Sequence, residues 1–155
     1  MNNPFWEYSV QQYARSGVAE ACLALQDEHG LDVNMLLYGA WLASIGRQPD
    51  SAHLEAVSRD IREWRERVVQ PLRHLRRQWK GFAPAAQLRD QLQAMELAAE
   101  RAQQDRMLAV YRASPPPDGA PAALEANLCL VAECSGLDGQ GWRPVVTRLA
   151  GLLEA

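Results

Sequence analysis

The chain has 155 residues and a formal net charge of −3, with 48 % apolar and 23 % charged residues. That length builds one core without metals or disulfides, and the balance fits an ordinary soluble globular protein and argues against a generic polyanion binder. Valine and isoleucine are sparse and period-2 alternation is hard to find, so strands are not expected.

Punctuation divides the chain into helical blocks. Asn3-Pro4 forms an N-cap and first-turn proline ahead of "FWEYSVQQYA". Ser16-Gly17 opens "VAEACLALQDEH", which Gly30 closes. Asp32 caps the next helix, and Gly46 ends it. Its run from Val33 to Ile45 is 13 residues and apolar in every direction. A helix needs about 20 to cross the hydrocarbon of a bilayer, so this one reads as the central helix of a globular core. Gly39 inside it implies close approach of a neighbour.

Asp50 or Ser51 begins the longest pattern, with Leu54, Val57, Ile61, Trp64, Val68, Leu72, Leu75 and Trp79 at steps of three or four. This predicts an amphipathic helix of about 30 residues, kinked near Arg67 to Val69 by Pro71. Gly81 stops it. Pro84 starts a second long helix whose inward stripe is predicted as Leu88, Leu92, Met95, Ala99 and Ala102. Residues 114–120 are a proline-rich loop, and Pro121 opens a helix with Leu124, Leu128 and Val131 inward. "GLDGQG" is a turn before a short final helix. The expectation is a single all-α domain over residues 1–155, a compact bundle of six or seven helices around the central apolar one.

The absent chemistries are informative. No two aspartates stand three or four residues apart, as isoprenoid-type magnesium sites require, and no histidine has a glutamate three residues before it, as di-iron bundles require. There is no phosphate-binding loop, no H-E-x-x-H and no G-x-S-x-G. Cys129 and Cys134 point about 140° apart on a helix and cannot share a zinc ion. Cys22 and Cys134 fall on apolar faces, where a thiol acts as a small hydrophobe. Three cysteines without a disulfide spacing, and no basic-then-apolar leader, lead to the expectation of a reducing cytoplasm. No catalytic residue, metal or cofactor is expected.

Four polar residues form a candidate core site: Asn34, Asn127 and Arg106 on predicted inner faces, and Glu96 beside them. Asn34 stands where an amide serves a helix start. Asn127 lies mid-helix between Leu124 and Val131, where an unsatisfied amide costs roughly 1–3 kcal/mol. Arg106 continues the stripe of the second long helix, its stem apolar and its head in water. Glu96 and Glu100, one turn apart, suit either an acid-base pair or a solvated face. These residues make one pocket only if the last three helices converge.

Charge is unevenly placed. From His53 to Lys80 there are eight Arg/Lys against four Asp/Glu, a local +4. After Glu66 the helix carries no acid, and Arg73, Arg76, Arg77 and Lys80 are predicted opposite Leu72, Leu75 and Trp79. Such a face suits phosphates or an acidic partner, although bases at a helix C-terminus also answer its dipole.

The phrases Phe5-Trp6, Val18-Ala19-Glu20-Ala21-Cys22-Leu23, Leu25-Gln26-Asp27 and Asp32-Val33-Asn34, leading into Leu36-Leu37 and Trp41, resemble the opening of a family of short bacterial proteins classed as a domain of unknown function. "WRERVVQPLRHLRRQWK" fits it less specifically, and the resemblance extends to about Tyr111. It implies a cytoplasmic, all-helical protein and supplies no catalytic residue. The preferred expectation is a non-catalytic interaction module that binds a protein partner or itself, without membrane insertion. The alternatives are a nucleic-acid or phosphate binder through the basic half-helix over residues 72–80, and a small-molecule site or unfamiliar enzyme in the core.

Overall fold

The computed structural model describes residues 2–119, 123–137 and 139–154. The described residues form an all-α protein: α1 (Pro4–Tyr13), α2 (Val18–His29), α3 (Val33–Ser44), α4 (Ser51–Trp64), α5 (Gln70–Gln78), α6 (Ala86–Ala113), α7 (Ala123–Cys134) and α8 (Arg143–Glu154). A π-helical turn over Arg65–Val69 joins α4 to α5, so the two run on as one kinked rod. Seven rods result, within the expected range.

Local chemistry sets the boundaries. Asn3 accepts the Trp6 N–H at 2.9 Å, Asp32 that of Asn34 at 2.9 Å, and Asp50 that of His53 at 2.8 Å. Each cap supplies an acceptor to a donor that has no partner within its helix. Gly30 closes α2 at φ 71° while the Leu31 N–H reaches back to the Leu25 carbonyl. The loop over residues 114–119 lies against the end of α3, where the Gln48 and Gly119 N–H groups donate to the Pro117 and Gly46 carbonyls. Ala120, Pro121 and Asp138 lie outside the described residues, and with them the expected helix start at Pro121 and part of the "GLDGQG" turn.

α3 is the centre of the body. Every residue from Asn34 to Leu42 is buried. Phe5, Trp41, Tyr111 and Tyr38 form one aromatic cluster around it, with ring centroids 5.0 to 6.0 Å apart, and the Tyr38 hydroxyl meets His53 Nε2 at 2.7 Å. α7 crosses α3 at Gly39, where a Cβ would stand 3.2 Å from Val131 Cγ2 and 3.4 Å from the Asn127 carbonyl oxygen. The neighbour expected from that glycine is α7. Among the described residues no helix is long and apolar enough to cross a membrane.

Two expectations need correction. The inward line of α6 is Leu92, Glu96, Ala99, Gln103 and Met107, whereas Leu88 and Met95 are exposed and Ala102 is half-buried. Cys134 is exposed, while Cys22 is fully buried and its thiol is pushed up to about 12 by desolvation.

The α3–α7 crossing yields a stability test. Gly39→Val drives two methyl groups into the Asn127 backbone and Val131, and is expected to lower unfolding free energy by about 1–3 kcal/mol. Urea denaturation checks it, and Val131→Ala in the same chain is expected to recover part of the loss.

Candidate functional site

The site begins with Pro71. Proline has no N–H, and its ring collides with the carbonyl four residues back, that of Arg67. The chain answers with the π turn, in which the Gln70 N–H reaches the Arg65 carbonyl. A turn widened by one residue rotates everything after it by about 100°. Leu72, Leu75 and Trp79 would have continued the inward stripe of α4. Their following neighbours Arg73 and Arg76 now face α6 instead.

There they meet carboxylates. Arg73 Nε donates to Glu96 Oε1 at 3.3 Å and its Nη2 to Glu100 Oε1 at 2.9 Å. Arg76 clasps both oxygens of Glu96 through Nε and Nη2. Glu96 is only 6 % exposed, and these guanidinium groups compensate its desolvation. The hydrogen bond to Glu96 raises the Arg76 guanidinium further, fixing its charge. Burial pushes the Glu100 carboxyl above its ordinary value, against the pull of Arg73. Tyr13, across the gap on α1, is pushed up to about 12, chiefly by burial.

This cluster floors a cleft of about 640 Å³ between α1, α2 and the start of α3 on one side and the α5–α6 hairpin on the other. Val10, Tyr13, Leu23 and Leu97 stand along its walls as exposed apolar side chains. At the back, Gln104 Nε2 donates to Asn34 Oδ1 at 3.0 Å and to Ser9 Oγ at 3.1 Å, tying α6 to α3 and α1. At the mouth, Arg77 reaches Asp27 of α2 at 2.5 Å. A second, more polar hollow of about 430 Å³ lies behind, between α4 and the ends of α2 and α7, with Asp32, Arg59, Arg62 and Arg65 on its wall. Asp32 there accepts from Gln103 Nε2 at 3.0 Å and lies 3.4 Å from Arg65 Nε.

Of the candidate core site, the structure brings Asn34 and Glu96 into one cleft and leaves the other two apart. Asn127 Nδ2 donates to the Gly39 and Arg47 carbonyls at 3.0 and 3.1 Å, binding α7 to the middle of α3 and to the turn that follows it. Arg106 is exposed and lies over the Trp64 ring at 5.7 Å. The Asn34 side chain serves Gln104 rather than its own helix start. The expected one-signed basic face is absent as such: Arg73, Arg76 and Arg77 are ion-paired within the chain, and Lys80 alone of the four stands exposed without a carboxylate within 4.0 Å among the described residues. Sequence reasoning missed Ser9, Tyr13, Gln103 and Gln104. The signal was available in α6, where Glu96, Glu100, Gln103 and Gln104 recur at helical spacing along one side.

Chemically the floor is an electroneutral lattice of two guanidinium and two carboxylate groups. Glu96 is fully engaged by the two arginines, and burial raises the Glu100 carboxyl above its ordinary value. Among the described residues no three His, Cys, Asp or Glu side chains stand together as a metal site. The fold and cleft thus define an all-helical protein with an ion-paired floor under apolar walls. The family model described as a protein of unknown function (DUF2390) matches residues 4–107, and the chain belongs to that family. Every residue lining the cleft lies within the matched span, whereas α7 and α8 lie beyond it. No curated protein and no solved structure matches the chain.

The two carboxylates separate by substitution and by pH. Glu96→Ala strands Arg76, leaves Arg73 with Glu100 alone, and is expected to cost about 3 kcal/mol, with Glu100→Gln costing clearly less. Because the folded Glu100 carboxyl is raised, its stabilising contribution is complete below the ordinary glutamate value of 4.5 and is lost as pH rises through the folded value. The stability difference between Glu100→Gln and the parent chain should therefore move in the variant's favour as pH rises from 4.5 through the folded value and level off above it, as read by urea unfolding across pH.

Proposed function

We propose that the protein is a non-catalytic interaction module that receives an apolar segment of a partner protein in the cleft. The observation that carries this reading is the exposure of Val10, Leu23 and Leu97 from three different helices along one concavity. Side chains of that kind on a rigid floor are what an amphipathic helix or extended segment needs for its anchors. The charged floor supports binding rather than turnover. Glu96 is committed to two arginines, and the Cys22 thiol is buried and held in its neutral form. With Arg73, Arg76 and Arg77 paired internally, a phosphate-rich ligand finds only Lys80 of the expected four cations, so this reading is not adopted. Three free cysteines fit a reducing cytoplasm.

A photocrosslinking residue at position 97, expressed in the protein's own host cells, is expected to trap one discrete partner protein, while the same residue at Ser58 traps none. Val10→Asp and Leu97→Asp, both at exposed positions, are expected to weaken capture at least tenfold while shifting stability by no more than about 0.5 kcal/mol. Absence of an adduct at position 97, or capture indifferent to both aspartates, overturns the reading.

A further inference from the structure

The phase slip that turns Arg73 and Arg76 inward leaves an apolar face on the other side of the α5–α6 arm. On α6, Leu88 and Met95 lie about 20° apart, and Met95 lies about 100° round the helix from Glu96, on the side away from Glu100. On α5, Leu72, Leu75 and Trp79 fall within about 60° of one another, turned away from Arg77 and its α2 partner. Phe82 stands between the two helices at the tip. These side chains are well exposed: Leu88 56 %, Met95 57 %, Phe82 58 % and Leu75 37 %. α5 has no buried residue at all.

We infer that this face pairs with the same face of a second copy of the chain, two α5–α6 arms closing an intermolecular four-helix bundle. Three properties select a second copy as the occupant. First, the face is large enough. Its four most exposed side chains leave roughly 400 Å² of surface per copy, taking a large apolar side chain as on the order of 150–200 Å². Doubled by a two-fold axis and joined by the half-buried Leu72 and Trp79 and their surroundings, it reaches the lower end of the range of about 1,200–2,000 Å² buried by stable interfaces. Second, the tip of the face, from Leu75 and Trp79 through Phe82 to Leu88 and Met95, is uncharged, and Arg106, on the same line of α6, lies three turns beyond Met95 toward the base. Gln78, Gln87 and Gln91 rim the tip, and no acid occurs between Glu66 and Asp90, so a self-pair there brings no two carboxylates together. Third, Leu88 and Met95 stand two turns apart on one line of α6. Antiparallel pairing about a two-fold axis between them sets Leu88 of each copy against Met95 of the other and keeps Arg106 outside the contact, the self-complementarity that an isologous contact requires. Since the cleft opens on the opposite side of the arm, a dimer formed this way keeps both clefts accessible.

Sedimentation equilibrium on the full chain, from about 1 to 100 µM, tests the pairing. The expected result is a dimer of twice the 17.3 kDa chain mass. Leu88→Glu and Met95→Glu are each expected to return the chain mass, with at least a 100-fold rise in dissociation constant, and the milder Met95→Gln an intermediate shift. Far-UV circular dichroism should stay unchanged in all three. Val10→Asp and Leu97→Asp, which alter the cleft, are expected to leave the dimer intact, so failure here is separable from failure of the cleft reading. A chain that stays monomeric at the highest concentration, or a dimer that survives Leu88→Glu with Met95→Glu, overturns it.

Discussion

A single buried carboxylate organises half of this molecule. Glu96 occupies an inward position of α6 that a leucine would fill in a conventional bundle, and a lone carboxylate there would be strongly destabilising. It is tolerable because α5 delivers Arg73 and Arg76 to it, and α5 delivers them because the π turn at Arg65–Val69 advances the helix phase by one residue. The same rotation sets the contents of both faces of the arm. Charge goes to the side that faces α1 and α2, and leucines go to the side that faces away. Cleft floor and apolar outer face are two consequences of one slip.

The body obeys different physics. α3 is held by apolar packing on all sides, and its closest neighbour is admitted by the missing side chain at Gly39. Polar groups appear there only as fasteners: Asn127 spans two carbonyls, and Gln104 spans Ser9 and Asn34. Each hydrogen bond contributes only about 1 kcal/mol, yet each fixes a register that apolar contacts leave free to slide. The arm, with no buried residue on α5, is fastened chiefly by its ion pairs and by Val69 at its root. Its attachment is therefore the more sensitive to pH and salt.

Much of this was legible in the sequence. The caps at Asn3, Asp32 and Asp50, the stops at Gly30 and Gly46, the central position of α3 and the disturbance beside Pro71 all follow from local rules, and local rules are what a sequence displays. The contents of the cleft were legible only in part: Asn34 and Glu96 were singled out, but periodicity assigns the inner face to the apolar side and so hides their partners. That assignment holds from Leu54 to Ile61 and fails after Trp64, where the widened turn carries it one residue forward. It fails again on α6, where Glu96 and Gln103 hold inward positions and Leu88 and Met95 do not. Proline announces that a helix must adjust. Whether it bends or gains a residue depends on what the next helix offers, here two carboxylates some twenty to thirty residues away in the chain.

The two stripes of the arm can also be read as one solution to a conflict. An apolar line through Leu72, Leu75 and Trp79 and another through Leu88 and Met95 would ordinarily meet each other, which would push Arg73, Arg76, Glu96 and Glu100 toward solvent. Salt bridges in water contribute little, whereas desolvated ones with several hydrogen bonds specify a geometry closely. The chain adopts the register that desolvates the charges and thereby leaves its leucines without an internal partner. Such an arrangement is stable when the surface it exposes is small or when something apolar covers it. Here that surface gathers Leu75, Phe82, Leu88 and Met95 at the tip of the arm, and the pairing of two arms proposed above is the arrangement that covers it without any change within one chain.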